Sequence, residues 1–277
     1  IFPLSFKEFL KFKNKEPSKL ATIQKYLIKN TIKNLLREYL KYGGFPRVVL
    51  EHENNKNLLL KEYFESIIMR DVVSRYKVRE INLLKALSTF LLTNNGTLTS
   101  IGKLAKLITE TTGTKVSLET ISRFLHYLES AFLIFTVPIF SYKIKEQMKY
   151  PKKIYSIDTG LVNAVSFRFT QNIGRLYENV VLLELKRKGK EVYYWKDPQH
   201  REVDFVIKEG LRIKELIQVA YSLSSQKTKK REIDSLILAM EEFKIKTGTI
   251  ITEDTKGTKK INKKTIRFIP LWEWLLS

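Results

Sequence analysis

The stretch from Gly174 to Leu223 changes its residue pattern partway along, and this change constrains the fold more than any other feature. Its first part places Leu176, Val180 and Leu183 at the spacing of one helix face. Consecutive basic residues and then a glycine supply the positive last turn and the stop of a helix. Runs rich in β-branched and aromatic residues follow at 192–195, 202–207 and 215–222. The pattern predicts a helix that covers a small three-stranded sheet.

Polar residues in three of these predicted elements mark a candidate site. Glu178 lies in the helix, Asp204 in the second strand and Gln218 in the third. Mg²⁺ prefers hard oxygen ligands, so Asp204 and Gln218 form a candidate metal site, although a weak one. The alternative is that these residues are ordinary polar positions of a fold that serves in binding.

The order of a helix glutamate, then Val-Asp-Phe-Val at 203–206, then Ile-Gln-Val at 217–219 resembles the PD-(D/E)xK nuclease-like superfamily. The resemblance implies a restriction-endonuclease-like α/β domain whose catalytic set is Glu178, Asp204 and Gln218. In active members the strand acids hold Mg²⁺, and a lysine two residues after the second acid assists the attacking water. This chain has Gln218 in place of the second acid and Ala220 in place of the lysine.

The missing lysine bears on activity because phosphodiester cleavage develops negative charge that a nearby cation stabilises. Removing one such stabiliser from an oxyanion-type site typically costs about 3 kcal/mol. Lys196 or Lys208 on a neighbouring strand could replace it, so a Mg²⁺-dependent endonuclease with a displaced lysine remains one hypothesis. The favoured prediction is a nuclease-like fold without catalysis, since fold alone does not establish activity.

Net charge indicates the class of partner. The 277 residues contain 50 Lys and Arg against 29 Asp and Glu, a formal net charge of +21. Such an excess favours polyanions, and DNA is the expected partner. A basic segment at 256–264 is predicted as a loop between two further strands. The chain has no cysteine, which excludes disulfides, a zinc ribbon and a thiol catalyst. It also has no apolar run of membrane-spanning length, so the sequence predicts a cytoplasmic protein with no membrane partner.

Residues 79–160 carry the pattern of a winged helix-turn-helix domain. A helix at 81–92 precedes a turn, Ser100 and Ser117 each begin a further helix, and two strands flank a basic segment at 141–153. The helix after Ser117 is the expected reader of a major groove, and the basic segment is the expected wing. The predicted DNA-binding residues are Lys115, Thr120, Arg123, His126, Tyr127, Lys143, Lys145, Lys149, Lys152 and Lys153. Winged helices also dock proteins, so a protein-interaction or oligomerisation module is the alternative.

The sequence Gly43-Gly44-Phe45-Pro46 ends a predicted helix. The whole chain also resembles the C-terminal portion of archaeal AAA-type (STAND-like) ATPases, in which a nuclease-like domain follows a helix-turn-helix. The resemblance implies that Gly44 and Pro46 belong to a nucleotide lid, which functions only with an ATPase core. No Walker A sequence ending in Gly-Lys-Ser/Thr occurs in the chain. We therefore expect a fragment that meets ATP only through a missing N-terminal ATPase domain.

Together these patterns predict a multidomain α+β and α/β protein. A helical lid or linker at 1–78 and a winged helix-turn-helix at 79–160 precede the PD-(D/E)xK nuclease-like domain at 161–277. The predicted function is the DNA-binding C-terminal module of an AAA-type ATPase. The expected partners are DNA, the missing ATPase domain and further copies of the chain in a homo-oligomer, with Mg²⁺ as the expected cofactor.

Overall fold

A computed structural model describes residues 2–15, 25–166 and 173–277. The chain packs into two compact units. Unit 1 comprises Ile1–Thr136 and Pro151–Gln171, and unit 2 comprises Val137–Tyr150 and Asn172–Ser277. The predicted boundary between residues 78 and 79 falls inside unit 1, whereas most of the predicted third domain lies in unit 2. In the described residues, no helix combines the length and the apolar character needed to cross a membrane.

The described helices and strands follow one another along the chain without strict alternation. The helices are α1 (Phe6–Phe12), α2 (Lys25–Tyr42), α3 (Pro46–Leu50), α4 (Glu53–Ser66), α5 (Ile81–Thr93), α6 (Ile101–Thr112), α7 (Leu118–Ser130), α8 (Ile144–Lys149), α9 (Thr159–Val165), α10 (Ile173–Arg187), α11 (Gln226–Glu242) and α12 (Leu271–Leu276). A π-helix, Ile67–Ser74, continues α4 directly. The strands are β1 (Leu98–Thr99), β2 (Ile134–Val137), β3 (Lys152–Ser156), β4 (Glu191–Lys196), β5 (Glu202–Glu209), β6 (Arg212–Val219), β7 (Thr247–Thr252), β8 (Gly257–Ile261) and β9 (Lys264–Pro270).

The strands form two sheets. The small sheet has the order β1-β3-β2, and β1 runs antiparallel to β3. The large sheet of unit 2 has the order β4-β5-β6-β7-β9-β8. Strands β4, β5 and β6 form an antiparallel meander, β6, β7 and β9 are parallel, and β8 closes one edge antiparallel to β9. The helix followed by three strands that the sequence predicts is therefore confirmed.

Serine caps fix where α6 and α7 begin. The Ser100 hydroxyl accepts the Lys103 N–H at 3.2 Å, and the Ser117 hydroxyl accepts the Thr120 N–H at 3.0 Å. Helix α6 ends at Gly113, whose φ of 69° lies in the left-handed region that favours glycine. Both predicted helix starts are confirmed, and a short turn joins the two helices.

An apolar layer holds α11 against the large sheet. Ile233, Leu236 and Met240 of the helix pack with Val206 of β5 and Leu216 of β6. Each of these side chains is at most 5% exposed, and burying one fully contributes about 2 kcal/mol. This layer fixes the position of the polar residues on the same face of the sheet.

The prediction of a basic loop at 256–264 is wrong. Strand β8 occupies most of this segment and pairs with β9 from Gly257↔Phe268 to Ile261↔Lys264. The lysines of the segment have low strand propensity, and pairing with β9 supplies the order that local sequence does not.

Candidate functional site

Asp204 and Gln218 meet where the ladder between β5 and β6 ends. The described register of the two strands stops at Phe205↔Ile217. Beyond it, Gln218 Oε1 accepts the backbone N–H of Asp204 at 3.2 Å, and Asp204 Oδ2 accepts the backbone N–H of Val219 at 2.8 Å. The two side chains thus replace ladder hydrogen bonds at a fork between the strands. The structure brings together these two predicted site residues.

A third polar residue, Glu232 of α11, completes this cluster. Gln218 Nε2 donates to Glu232 Oε2 at 2.6 Å, and Arg231 Nη2 donates to Glu232 Oε1 at 2.6 Å. Glu232 is only 7% exposed. The sequence analysis missed it, although it lies four residues before Leu236 and so falls on the buried stripe of the helix. A carboxylate at such a position was the signal that could have identified it.

The cluster lines an open cavity of about 460 Å³. The lining residues are Gln199, His200, Arg201, Glu202, Asp204, Gln218, Val219, Arg231, Glu232 and Ser235. Glu178 is not among them, and its side chain is buried in α10 at 9% exposure. The structure therefore does not bring the predicted helix acid into the cavity that Asp204 and Gln218 share.

Ala220, at the position where the resemblance leads us to expect a lysine, lies in the apolar core. Ala220 is 6% exposed and belongs to the apolar cluster beneath α11, and its N–H donates to the carbonyl of Ile251 at 2.8 Å. Lys196 pairs with the cavity-lining Glu202 at 3.7 Å, and Lys208 pairs with Glu191 at 3.2 Å, so a displaced lysine stays a prediction. The cations at the cavity are arginines, Arg201 and Arg231.

Hydrogen bonds occupy most of the oxygen atoms that the predicted Mg²⁺ site at Asp204 and Gln218 would use, and that site stays a prediction. Gln218 Oε1, Asp204 Oδ2 and both carboxylate oxygens of Glu232 already accept hydrogen bonds. Among the residues that the structure describes, no group of three or more His, Asp or Glu side chains is placed to hold a metal ion. The arrangement can order the strand fork and present a polar cavity, and we derive no metal-dependent step from it.

Helix α7 and the segment just before it present three of the predicted DNA-binding residues to solvent. Lys115, Arg123 and His126 are exposed. Thr120 is half-buried, and its hydroxyl is within 3.0 Å of the Ser117 hydroxyl in the helix cap. Tyr127 does not point outward as predicted, because its ring stacks on that of Tyr76 with centroids 3.9 Å apart. The charged residues of α7 itself are Glu119, Arg123 and Glu129.

Three of the five predicted wing lysines lie in the other unit, whereas Lys152 and Lys153 lie in unit 1. Lys143, Lys145 and Lys149 are exposed on or beside α8, which belongs to unit 2. Phe140, just before them, joins the apolar cluster of unit 2, and its N–H donates to the carbonyl of Tyr194 at 2.6 Å. The segment 141–153 is therefore not the free loop that the sequence predicts. Lys152 is exposed, whereas Lys153 of β3 is only 3% exposed and presents no surface charge.

Gly44 has a packing role within unit 1. Its N–H donates to Asp158 Oδ2 at 2.7 Å, and its carbonyl accepts the N–H of Leu4 at 2.8 Å. A Cβ on Gly44 would lie 2.4 Å from the Leu4 carbonyl oxygen. Pro46 is exposed in the first turn of α3. The close approach of backbone to backbone explains this glycine without a nucleotide, and the lid role stays a prediction.

The fold defines an α+β protein whose C-terminal unit is built on a mixed six-stranded sheet. Residues 33–172 match the family described as Domain of unknown function (DUF8612), and residues 173–274 match Domain of unknown function (DUF4143). The chain belongs to the DUF8612 family, whose match covers about half of it, and its C-terminal part is a DUF4143 domain. DUF4143 domains are found in proteins associated with AAA-type ATPases. The border between the two matches lies beside the border between the two units.

Two relatives are longer than this chain. An uncharacterized protein of Methanocaldococcus jannaschii is 40% identical over 288 residues, which cover 100% of this chain and 63% of the relative. An uncharacterized protein of Haemophilus influenzae is 32% identical over 244 residues, which cover 88% of this chain and 57% of the relative. The chain therefore spans about three fifths of the length of these relatives.

Among solved structures, the chain is similar to an assembly of Thermococcus gammatolerans McrB AAA+ hexamers with bound McrC. The alignment covers 68% of this chain and 47% of that chain at 14% identity, with a TM-score of 0.28. Similarity at this level does not establish a shared fold.

Proposed function

We propose that this chain is a DNA-binding module of an AAA-type ATPase, in which unit 2 has a nuclease-like fold that does not cleave. The observation that carries the proposal is a pair of exposed cations, one in α7 and one just before it. Lys115, which precedes α7, and Arg123 of α7 are exposed and form no ion pair with a carboxylate of the described residues. Unneutralised cations on a rigid helix attract the phosphates of a duplex.

The element order of unit 1 supports this reading of α7. Helix α5, strand β1 and helices α6 and α7 precede β2 and β3, and β3 lies between β1 and β2 in the small sheet. A winged helix-turn-helix has this order, and its last helix enters the major groove. The Ser117 cap fixes the start of α7 between Lys115 and Arg123.

The element order of unit 2 supports a nuclease-like fold. Helix α10, the meander β4-β5-β6, helix α11 and strand β7 follow one another, and β7 pairs parallel to β6. Lack of cleavage follows from Ala220 in the apolar cluster and from the hydrogen bonds that occupy Gln218 and Glu232. The link to an ATPase rests on the DUF4143 domain and on the greater length of the relatives.

Duplex binding by fluorescence anisotropy at several salt concentrations tests the proposal. We expect Lys115→Ala with Arg123→Ala to weaken affinity about tenfold and to lower the slope of log affinity against log salt by about 2, since each lost phosphate contact removes about 0.9. The matched control is Lys11→Ala with Lys61→Ala, which removes the same charge from exposed positions outside α7. No duplex binding by the unchanged chain in low salt would overturn the proposal.

A second candidate function, protein interaction, is favoured by the surface of α8. Tyr142, Ile144 and Met148 are 81%, 74% and 78% exposed. Lysines flank them, so the surface has the apolar centre and polar rim of a protein interface. If further copies of the chain bind there, Ile144→Ser with Met148→Ser should abolish concentration-dependent association in sedimentation velocity. A monomeric unchanged chain would remove self-association as the role of this surface.

A further inference from the structure

We propose that the hairpin of β8 and β9 is a second DNA contact, which lies on unit 2 and binds the phosphate backbone of a duplex. The inference rests on the proposed DNA-binding function but concerns a surface that the helix-turn-helix does not contain. It starts from a concentration of charge in one short hairpin. The cations are Lys256, Lys259, Lys260, Lys263, Lys264 and Arg267.

Most of these cations have no acidic partner. Lys256 pairs with Glu273 at 2.6 Å. The other five form no ion pair within the part of the chain that the structure describes. Elsewhere on the same sheet lysines are paired, as Lys196 is with Glu202 and Lys208 with Glu191. The hairpin therefore carries charge that the protein itself does not neutralise.

The hairpin presents this charge on an ordered edge. Its register places Lys260 opposite Thr265 and Lys259 opposite Ile266. Adjacent strand residues point to opposite faces, so the two lysines project on different sides of the edge strand. Ile266 is fully buried and packs in the cluster under α11, so Lys259 lies on the helix side. Lys263 stands at the tip, beside Asn262 with a φ of 54°.

Helix α11 extends the positive surface on the side of Lys259. The Lys229 ammonium lies 6.0 Å from the ring centroid of Phe268, which pairs with Gly257 at the base of the hairpin. Lys227 and Lys230 are exposed on the same first turns of α11. Lysines contact phosphates as point charges without reading bases, so the expected contact is to the backbone and independent of sequence.

The rival explanation is protection of a sheet edge. Strand β8 is an edge strand, and lysines on such strands prevent pairing with other chains. This explanation requires that the lysines keep the protein monomeric and contribute no more to DNA affinity than other lysines do. The two explanations therefore differ in a measurable way.

The test compares two triple variants of equal charge in the full chain. Lys259→Gln, Lys260→Gln and Lys263→Gln remove hairpin cations, whereas Lys11→Gln, Lys61→Gln and Lys214→Gln remove exposed cations elsewhere. With a labelled duplex of arbitrary sequence, the hairpin variant should lower the salt slope by about 2.7, since three phosphate contacts are lost at about 0.9 each. The control should lower it by less than about 1, and the change of the same three hairpin lysines to arginine should preserve it.

The possible results distinguish a DNA contact at the hairpin from protection of the sheet edge and from failure of the proposed function. A hairpin variant that binds with the slope of the control overturns it, and self-association of that variant in light scattering would then establish edge protection. Loss of slope in the hairpin variant, with an unchanged melting temperature, supports it. If the unchanged chain binds no duplex, the proposed function itself fails. If the hairpin variant loses slope while Lys115→Ala with Arg123→Ala leaves binding unchanged, the hairpin contact stands and the proposed contact at α7 fails.

Discussion

A single glycine shows how a backbone position is fixed by a distant carboxylate. Gly43 follows α2 with a φ of 74°, and a Cβ at this position would lie 1.8 Å from Asp158 Oδ1. Asp158 is 2% exposed, and its carboxylate accepts the N–H groups of Gly44 and Gly160 at 2.7 and 2.8 Å. The glycine pair predicts a helix stop from sequence alone, but the carboxylate beside it, more than a hundred residues away in the chain, becomes visible only in the structure.

Gly43→Ala should therefore destabilise the fold by more than the strain of the left-handed backbone conformation alone. We expect a loss of about 4 kcal/mol in the free energy of unfolding, because left-handed strain adds to a clash with a buried carboxylate. Gly113→Ala is the matched control, since Gly113 has a φ of 69° and nothing within 4 Å of an added Cβ. It should lose about 1 kcal/mol in urea denaturation. Equal losses for the two variants would show that Asp158 imposes no constraint on Gly43.

Ala220 occupies the position where the proposed nuclease-like fold would need its lysine. A lysine at this position would enter the apolar cluster with Val203 and Leu236, so Ala220→Lys should lose about 3 kcal/mol more stability than Ala220→Met, which has similar length without charge. Neither the unchanged chain nor Ala220→Lys should nick plasmid DNA with Mg²⁺ or Mn²⁺. Nicking by the unchanged chain that disappears in Asp204→Ala would instead establish the endonuclease.

At the scale of elements, those with a strong apolar rhythm are predictable and those held by partners are not. The helix α10 and the meander β4-β5-β6 follow from periodicity, which is a local property. Strand β8 forms because β9 pairs with it, and the segment before α8 is held by the hydrogen bond from the Phe140 N–H to the Tyr194 carbonyl. The π-helix at Ile67–Ser74 lies within a stretch whose sequence reads as a continuous helix. Single-sequence patterns carry no information on such pairings.

A buried ion pair between α2 and α4 gives a prediction about stability and pH. Lys56 is 3% exposed and lies 2.8 Å from Glu38, which Lys13 also approaches to 2.9 Å. Burial alone would raise the pKa of Glu38, but the hydrogen bonds from Lys56 and Lys13 together hold that pKa below its ordinary value of 4.5. The ionised form of Glu38 is thus favoured in the folded state.

Lys56→Met should lower the free energy of unfolding at pH 7 by about 2 kcal/mol, less than for a fully buried pair because Glu38 is partly exposed. A carboxyl group whose pKa is lower in the folded state stabilises the fold at pH values above its unfolded-state pKa. This stabilisation is lost as the pH falls through the folded-state pKa. The difference between the variant and the unchanged chain should therefore shrink below pH 4.5. Lys41→Met, which breaks the exposed pair with Glu53, is the control and should have little effect at either pH. If the stability difference between Lys56→Met and the unchanged chain does not vary with pH, the loss comes from packing and not from the ion pair.

At the scale of the whole molecule, the candidate DNA contacts are divided between two units in a way that sequence does not reveal. Lys115 and Arg123 belong to unit 1, whereas Lys143 and the β8–β9 hairpin belong to unit 2. The chain enters unit 2 at Val137, returns to unit 1 at Pro151 and leaves it again. A sequence pattern reads 79–160 as one continuous domain because it records the order of elements and not the contacts that Phe140 makes with the large sheet.

We expect DNA, and not a nucleotide, to raise the melting temperature of the chain. No Walker A sequence is present in the 277 residues, and the N–H of Gly44 is bonded to Asp158. Mg²⁺ with ATP should therefore leave the melting temperature in a thermal shift assay unchanged. A duplex at a hundred times its Kd should stabilise the folded chain by about 2.7 kcal/mol, which raises the melting temperature by about 5 °C or more. The same duplex at high salt is the control, since screening should remove most of the shift. A shift with ATP as large as that with DNA would show a nucleotide site formed by this chain itself and would revive the lid role of Gly44 and Pro46.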